Sequence, residues 1–383
     1  MIKLITGNHA AAYGVALARP KVIAAYPITP QTTIIEHLSS FCADGTLEAK
    51  FMTVESEHSA MAACVGASAV GVRVFTATAS HGLALMHEML HIASFMRMPI
   101  VMVVVNRSLG PWNVHTDQTD SLSQRDTGWL QFYCEDNQEV LDTVIQAYKI
   151  SERISLPSMV IEDAFVLSHT SEIVEIPDTK LVDSYLGEYN PPHMLNVEDP
   201  RTFGACPVGP DYYLEFRYMA QKAMEDTIKV SKEADEEFKE LFSRGHGLIE
   251  EYRTEKAELI LVTSGTVTST ARLVIDERRD NGESIGLLKV RMFRPFPICE
   301  IQSVLSHVEK VAVIDRNISL GKGGIFAEEI KSALCNLQEK PLLYSFVVGL
   351  GGRDITPEVI HKVIDYALVA ERPEQVVWGD VRQ

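Results

Sequence analysis

The chain has 383 residues, of which 46% are hydrophobic and 23% charged, so it has the length of two or three domains and can bury a sizeable core. Its formal net charge of −17 argues against partners such as nucleic acid or an anionic membrane surface. The first residues show no signal-peptide pattern, no apolar stretch reaches transmembrane length, and the six cysteines have no metal-binding spacing. These features predict a cytoplasmic protein with reduced thiols.

Apolar runs and helical patterns alternate in the first part of the chain, which predicts a doubly wound parallel sheet of the α/β class. The run at residues 99–105 is apolar throughout, as expected for a strand that is covered on both faces. The other predicted strands cover residues 21–28, 50–54, 72–77 and 157–161, and the predicted helices cover residues 32–41, 56–70, 82–95 and 137–154.

The pattern changes in the middle of the chain. Residues 172–210 are rich in Pro, Asp, Asn and Tyr, which predicts an irregular excursion over the surface. Residues 212–253 have the charge and periodicity of a connecting helix, with a break near Gly245. A second α/β unit follows.

The sequence thus divides into three predicted parts, residues 1–171, 172–256 and 257–383. The strands predicted in the last part cover residues 258–263, 285–290, 310–314 and 342–348.

Polar side chains follow three of the predicted strands at the points where the strands end. Thr29, Glu57 and Arg107 supply a hydroxyl, a carboxylate and a guanidinium. Because ligands of open α/β sheets bind outside the carboxyl ends of the strands, we expect these groups to lie at one site. No phosphate-binding loop accompanies them. The sequence therefore predicts half of a cofactor site, with the other half on another chain.

Each of these side chains also has a structural interpretation. Glu57 begins a helix of small residues, where the helix dipole favours a carboxylate; it suits either a bond to a heterocyclic nitrogen or helix capping with Ser56. Arg107 suits capture of a carboxylate or phosphate, or a salt bridge between domains. Thr29 lies among prolines that restrict its backbone, so its hydroxyl either points at a ligand or belongs to a simple turn.

The loop of residues 108–120 follows Arg107. It is long and polar, and it carries Asp117 and Asp120. Loops of this kind often form lids or interfaces, so we predict one of these two roles for it.

One further motif competes with this interpretation. His87-Glu-Met-Leu-His91 matches the H-E-x-x-H pattern of zinc proteases on a helix. No third ligand is evident in the sequence, so we interpret the histidines as packed or interface residues and expect no metal on this chain. A zinc hydrolase that uses His87, Glu88 and His91 is the alternative.

Short segments in the same order as in one known family occur along nearly the whole chain. They are Gly7-Asn8, Ala25-Tyr-Pro-Ile-Thr-Pro30, Glu55-Ser-Glu57, Thr76-Ala-Thr-Ala-Ser-His-Gly82, Asn106-Arg107, Leu214-Glu-Phe-Arg-Tyr218, Phe293-Arg-Pro-Phe-Pro297, Asp315-Arg316, Ser319-Leu-Gly321 and Val348-Gly-Leu-Gly-Gly-Arg-Asp354. Through them the chain resembles the alpha subunits of the pyruvate:ferredoxin oxidoreductases (pyruvate synthases), a branch of the 2-oxoacid:ferredoxin oxidoreductases.

The resemblance implies a thiamine diphosphate enzyme whose first domain binds the aminopyrimidine ring. Glu57 would be the catalytic carboxylate that bonds ring nitrogen N1′. Arg107 would pair with the substrate carboxylate, beside Thr29. The other implied cofactor contacts are Pro27, Ser80 and Gly82. The region from residue 257 resembles the carboxyl-terminal domain of transketolases, which implies a role in structure and assembly.

The resemblance also implies partners. A beta subunit would hold the diphosphate and Mg²⁺, because this chain has only Ala43-Asp-Gly45 in place of the usual Gly-Asp-Gly motif. Ferredoxin-like gamma and delta subunits would carry the iron–sulfur clusters. The implied reaction converts pyruvate, coenzyme A and oxidised ferredoxin reversibly to acetyl-CoA, carbon dioxide and reduced ferredoxin.

The substrate is predicted less directly. A single arginine favours a 2-oxoacid with one carboxylate, and we expect pyruvate. The loop after Arg107 differs from the familiar forms, so a branched-chain 2-oxoacid or oxalate is an alternative. A third interpretation is a non-catalytic subunit that only assembles the others.

Overall fold

The computed structural model describes residues 1–204, 209–379 and 381–382, and in this part of the chain it contains two α/β units joined by a long helix. The first unit is built on a seven-stranded sheet, to which residues 292–294 of the second unit add one strand, and the second unit is built on a six-stranded sheet. A two-stranded ribbon packs on helices of the first unit. The predicted fold class is confirmed. None of the helices in the described part has the length and apolar character needed to cross a membrane.

The first sheet has the order β12-β6-β7-β5-β4-β2-β3, and its neighbouring strands are parallel except for β12 against β6. Its strands are β2 (Val22–Ala25), β3 (Lys50–Thr53), β4 (Val74–Thr78), β5 (Val101–Asn106), β6 (Leu130–Tyr133), β7 (Ser158–Asp163) and β12 (Met292–Arg294). Every residue of β5 is buried, which accounts for its uninterrupted apolar run. Met102 and Val104 pack into the core shared with the second unit, and Val103 and Val105 pack into the opposite core.

Helices cover both faces of this sheet. They are α1 (Gly7–Ala18), α2 (Thr32–Ala43), α3 (Glu57–Ala69), α4 (Ser80–Leu85), α5 (His87–Phe95), α6 (Thr119–Leu122), α7 (Asn137–Ile154) and α8 (Thr179–Leu186). Helix α1 packs closely on α7 because Gly14 has no side chain; a Cβ there would lie 2.8 Å from the carbonyl oxygen of Leu141. The single helix predicted at residues 82–95 is wrong. The helix is divided at Met86, whose N–H is shared by the carbonyls of Gly82 and Leu83 as in a tighter turn.

The stretch predicted to be irregular contains two regular elements. The strand β8 (Ser171–Glu175) pairs antiparallel with β1 (Ile2–Thr6), and α8 follows with Asp178 as its N-cap. Only Val174 of β8 is buried, so its sequence carries little strand pattern. The connecting helix is α9 (Tyr213–Phe242). Cys206, in the stretch of residues 172–210 that was predicted to be irregular, lies outside the described residues.

The second sheet has the order β15-β14-β13-β10-β11-β9. Its strands are β9 (Ile249–Tyr252), β10 (Leu259–Thr263), β11 (Ile285–Val290), β13 (Lys310–Asp315), β14 (Leu342–Val347) and β15 (Val377–Trp378), and the helices around it are α10 (Val267–Asp280), α11 (Ile298–Leu305), α12 (Ile325–Leu334) and α13 (Pro357–Val369). The helical pattern predicted up to residue 253 is wrong at β9, which pairs antiparallel with β11.

Buried charges join the two units. The Nζ atom of Lys289, on β11, lies 2.8 Å from a carboxylate oxygen of Glu139 and 3.0 Å from one of Glu135. Burial alone would raise the pKa of Glu139, but Lys289, His246 and Arg291 lower that pKa to about 2. The interface therefore depends on ionised groups that each need their partners.

Candidate active site

The strands β5, β4, β2 and β3 are neighbours in the sheet, and the predicted site residues follow their ends. The guanidinium of Arg107, after β5, donates through Nη1 to the backbone carbonyl of Thr29, after β2. The carboxylate of Glu57 is close enough to Arg107 to act on its charge. The structure therefore brings Thr29, Glu57 and Arg107 to one place.

Glu57 is the first residue of α3 and is only 6% exposed. The capping bond of this helix comes from Ser56, whose Oγ accepts from the N–H of Ser59 at 3.2 Å. No donor to the Glu57 carboxylate is present among the described residues. Its carboxylate oxygens are not among the buried unpaired atoms, so they are reached from outside the protein and are available to a ligand that supplies a donor.

Gly82 leaves the space that Glu57 occupies. A Cβ at Gly82 would lie 2.5 Å from Oε1 of Glu57 and 2.6 Å from Oγ1 of Thr78. That Oγ1 is also buried and has no hydrogen-bond partner in the described part of the chain. A residue with a side chain at position 82 would therefore displace the carboxylate.

Ser80 begins α4 with a left-handed backbone, at a φ of 47°. Its Oγ donates to the carbonyl of Ser108 at 2.7 Å, and its N–H donates to Oδ2 of Asp120 at 2.8 Å. Both polar groups of Ser80 are thus engaged by the segments that follow β5. Ser80 shapes the turn next to Gly82.

Arg107 is 5% exposed, and its guanidinium lies 5.8 Å from the ring centre of Trp112. Burial lowers the pKa of the guanidinium, whereas the carboxylates of Asp120 and Glu57 act in the opposite direction. Its Nε is buried without a hydrogen-bond partner among the residues described. Its Nη2 has no acceptor among the residues described and is not a buried atom, so a carboxylate that entered the site would pair with Nη2.

The other predicted residues lie around this centre. Pro27 and Thr29 are exposed on the open side. Asp117 and Asp120 are buried; Asp117 accepts from the N–H of Thr119 at 3.0 Å. Burial raises the pKa of the Asp120 carboxyl, whereas its N–H donors act in the opposite direction and favour the charged carboxylate.

The loop that carries these two aspartates is fixed to the second unit. Asn113 donates to the carbonyl of Gly351 at 2.7 Å, and the N–H of Gln118 donates to the carbonyl of Arg316 at 2.9 Å. Of the two roles predicted for the loop, these contacts favour an interface.

The residues of the H-E-x-x-H pattern have other contacts. Nδ1 of His87 lies 2.6 Å from Oε1 of Gln124, and the Glu88 carboxylate lies 3.7 Å from the ring of His58. Within the described residues, no group of three or more His, Cys, Asp or Glu side chains is placed to hold a metal ion.

Two residues that sequence reasoning did not single out hold the turn around Thr29. Asn8 donates to the carbonyl of Pro30 at 2.8 Å. Gln31 donates to the carbonyls of Tyr26, at 2.8 Å, and Ala77, at 3.2 Å, and so connects the ends of β2 and β4. Asn8 lies in a segment that carries the family resemblance and Gln31 directly follows another, but an amide side chain alone does not indicate such a role.

An open parallel sheet with a buried carboxylate and a buried guanidinium at neighbouring strand ends defines a ligand-binding protein of the doubly wound α/β class. Comparison with known sequences gives its family. Residues 13–236 match the model of the pyruvate flavodoxin/ferredoxin oxidoreductase thiamine diphosphate-binding domain, and residues 257–360 match core domain II of pyruvate:ferredoxin oxidoreductase. The chain belongs to the pyruvate:ferredoxin oxidoreductase family, which confirms the resemblance seen in its motifs.

Individual relatives are similar over nearly the full length. The chain is 52% identical to pyruvate synthase subunit PorA of Methanothermobacter thermautotrophicus, over 100% of this chain and 99% of the relative. It is 49% identical to ketoisovalerate oxidoreductase subunit VorA of Pyrococcus horikoshii, over 98% of this chain and 94% of the relative.

Solved structures show the same fold. A 2-oxoglutarate:ferredoxin oxidoreductase from Magnetococcus marinus aligns with a TM-score of 0.72 at 19% identity, over 96% of this chain and 65% of that chain. A split-gene transketolase, described as an inactive beta4 tetramer, aligns with a TM-score of 0.57 at 13% identity, over 96% of this chain.

The residues present fit one part of thiamine diphosphate. Glu57 is an acceptor with little exposure and no donor among the described residues, and nitrogen N1′ of the aminopyrimidine ring would donate to it when protonated. The missing side chain at Gly82 keeps that carboxylate accessible. The residues of this chain therefore fit the aminopyrimidine ring of the cofactor, at the carboxyl ends of the strands.

Proposed function

We propose that this chain is the subunit of a pyruvate:ferredoxin oxidoreductase that binds the aminopyrimidine half of thiamine diphosphate. The assembled enzyme would convert pyruvate, coenzyme A and oxidised ferredoxin reversibly to acetyl-CoA, carbon dioxide and reduced ferredoxin. The observation that carries the proposal is the buried Glu57 carboxylate, 6% exposed and without a donor among the described residues, at a strand end beside Gly82.

Glu57 has the catalytic role in this proposal. When bound, thiamine diphosphate supplies a carbon nucleophile for the 2-oxo group of the substrate. Glu57 holds ring nitrogen N1′ by a hydrogen bond and thereby determines where the ring carries its protons. Pro27, Ser80 and Gly82 form the surroundings of the ring.

Arg107 and Thr29 bind the substrate in the same proposal. Nη1 of Arg107 is held by the Thr29 carbonyl, and its accessible Nη2 has no acceptor in the described part of the chain. One oriented guanidinium suits one carboxylate. A monocarboxylic 2-oxoacid such as pyruvate therefore matches the charge of the site.

Partner subunits complete the enzyme. The most similar relatives are named as subunits, which supports a complex. We assign the diphosphate and Mg²⁺ to a beta subunit, and the iron–sulfur clusters to gamma and delta subunits that pass electrons to ferredoxin.

The test is Glu57→Gln in the reconstituted complex, with pyruvate, coenzyme A and ferredoxin. We expect turnover to fall by about 100-fold or more, because glutamine cannot carry the charge that N1′ needs. Glu55→Gln is the matched control. Glu55 lies two residues earlier, is exposed and accepts from the Ser59 hydroxyl at 2.6 Å, so its variant should keep normal turnover. Normal turnover in Glu57→Gln would refute the proposal.

A branched-chain 2-oxoacid is the second candidate substrate. The observation that favours it is the similarity to the ketoisovalerate relative, at 49% identity close to that of the pyruvate synthase subunit. Measurement of kcat/KM for pyruvate and for 2-oxoisovalerate on the wild-type complex decides between them. A higher value for 2-oxoisovalerate would replace pyruvate in the proposal and leave the roles of Glu57 and Arg107 unchanged.

A further inference from the structure

The Asp120 carboxylate binds three backbone N–H groups next to the proposed active site. It is fully buried. Its Oδ2 accepts from Ser80 at 2.8 Å and from Arg107 at 3.0 Å, and its Oδ1 accepts from Ser121 at 2.7 Å. Two of the donors belong to other segments, Ser80 at the start of α4 after β4 and Arg107 in the turn after β5, and the third belongs to the next residue in Asp120's own helix α6.

The bonds of Asp120 to Ser80 and Arg107 lie just beyond the last paired residues of β4 and β5. The parallel ladder between the two strands runs as far as Thr78 opposite Val104. Ser80 and Arg107 lie beyond this point. The bond from the Ser80 hydroxyl to the Ser108 carbonyl, at 2.7 Å, is a second connection between the same two segments.

Both segments carry groups of the site. Arg107 supplies the guanidinium, and Ser80 leads into Gly82, next to Glu57. Ser80 also has a φ of 47°, a conformation that a serine rarely adopts without outside support. A change in the bonds of Asp120 would therefore move the guanidinium relative to Glu57.

We propose that Asp120 is a positioning residue that fixes the backbone of Arg107 against the turn at Ser80 and so orients the guanidinium toward the substrate carboxylate. This inference rests on the proposed function, because it assigns Asp120 an effect on substrate binding through Arg107. Asp120 itself does not reach the substrate.

Asp120→Asn is the first variant. An amide has one acceptor oxygen, whereas the carboxylate has two. In either orientation of the Asn side chain, its NH₂ group therefore faces a backbone N–H, and at least one hydrogen bond is lost. In the full complex with pyruvate we expect kcat/KM to fall by about 10- to 100-fold, mainly through a higher KM. An unchanged KM would overturn the proposal.

Asp315→Asn is the matched control. Asp315 is also fully buried and accepts from three N–H groups, those of Phe326, Ala327 and the Asn317 side chain. It is the last residue of β13 in the second unit, opposite the start of α12. The Asp315→Asn variant therefore loses a set of hydrogen bonds comparable to that lost in Asp120→Asn. Its KM should equal that of the wild type, and an equal rise in KM in both variants would show a general structural effect and overturn the positioning role.

A double variant tests whether Asp120 acts through Arg107. Arg107→Ala alone should raise KM, and Arg107→Ala with Asp120→Asn should raise it no further, because no guanidinium remains to be misplaced. Additive effects would overturn the proposal. If the Asp120→Asn complex does not assemble, the same comparisons are made with Asp120→Ser, which keeps one oxygen acceptor.

The result also separates this inference from the proposed function. If Arg107→Ala raises KM and Asp120→Asn does not, only the positioning role fails. If Arg107→Ala has the wild-type KM, the substrate role of Arg107 in the proposed function fails, and the positioning role fails with it.

Discussion

Glu57 and Gly82 occupy one small volume where the chain leaves β3 and β4. Oε1 of Glu57 lies 2.5 Å from the point that a Cβ of residue 82 would take. Real Cβ atoms do not approach other atoms so closely in a packed interior. The position of the carboxylate thus depends on a glycine 25 residues later in the chain.

Gly82→Ala should therefore damage cofactor use. The added methyl group displaces the Glu57 carboxylate, and we expect the thiamine diphosphate concentration needed for half-maximal activity to rise about tenfold, together with lower turnover. The measurement is a thiamine diphosphate titration of the apo complex. Gly66→Ala is the control, because a Cβ at Gly66, on the exposed face of α3, meets nothing within 4 Å. Equal behaviour of the two variants would contradict the account.

At the scale of elements, the sequence predicts the strongly patterned segments best. Helix α7 (Asn137–Ile154) and strand β11 (Ile285–Val290) have the bounds that their patterns predict. Helix α1 shows no such pattern, because nine of its twelve residues are buried and it has no continuous polar face. Strand β12 has three residues and exists through its pairing with β6, a contact between distant segments that local sequence does not show.

The interface between the two units gives a prediction at this scale. Lys289→Met removes the cation that holds Glu135 and Glu139 and leaves buried carboxylates with fewer partners. Breaking such a buried pair costs about 3–5 kcal/mol, so the thermal unfolding midpoint should fall clearly. The control is Lys21→Met, which removes the exposed pair with Glu48 and should leave the midpoint unchanged. A wild-type midpoint in Lys289→Met would contradict the role of this network.

The same network predicts a pH dependence. The pKa of Glu139 is about 2 in the folded chain and 4.5 ordinarily, so the unfolded chain binds more protons between these values. The stabilisation is complete above about pH 4.5 and is lost as the pH falls toward 2. The difference in unfolding midpoint between wild type and Lys289→Met should accordingly shrink between pH 5 and pH 2.5. A constant difference would show that Glu139 is not the group that titrates.

At the scale of the whole molecule, the proposed function assigns this chain one half of a site at the carboxyl ends of the strands. Family motifs predicted Thr29, Glu57 and Arg107, and the structure places them together. The contacts of Asp120 with Ser80 and Arg107 were not predictable, because these N–H groups come from segments that meet Asp120 only in the folded chain. The bonds of Asn8 and Gln31 to backbone carbonyls have the same origin.

The half-site predicts that the isolated chain does not decarboxylate pyruvate, even with excess thiamine diphosphate, Mg²⁺ and coenzyme A. Addition of the partner subunits should restore ferredoxin reduction. Release of carbon dioxide by the isolated chain would show that it contains a complete site, and the division of the cofactor between subunits would be wrong.

The most direct measurement is the rate of hydrogen–deuterium exchange at C2 of thiamine diphosphate bound to the complete complex, followed by nuclear magnetic resonance after rapid quenching. The account predicts exchange about 100-fold slower in Glu57→Gln than in the wild type, with the wild-type rate in Glu55→Gln. Equal exchange rates in Glu57→Gln and the wild type would contradict the central claim that Glu57 activates the cofactor.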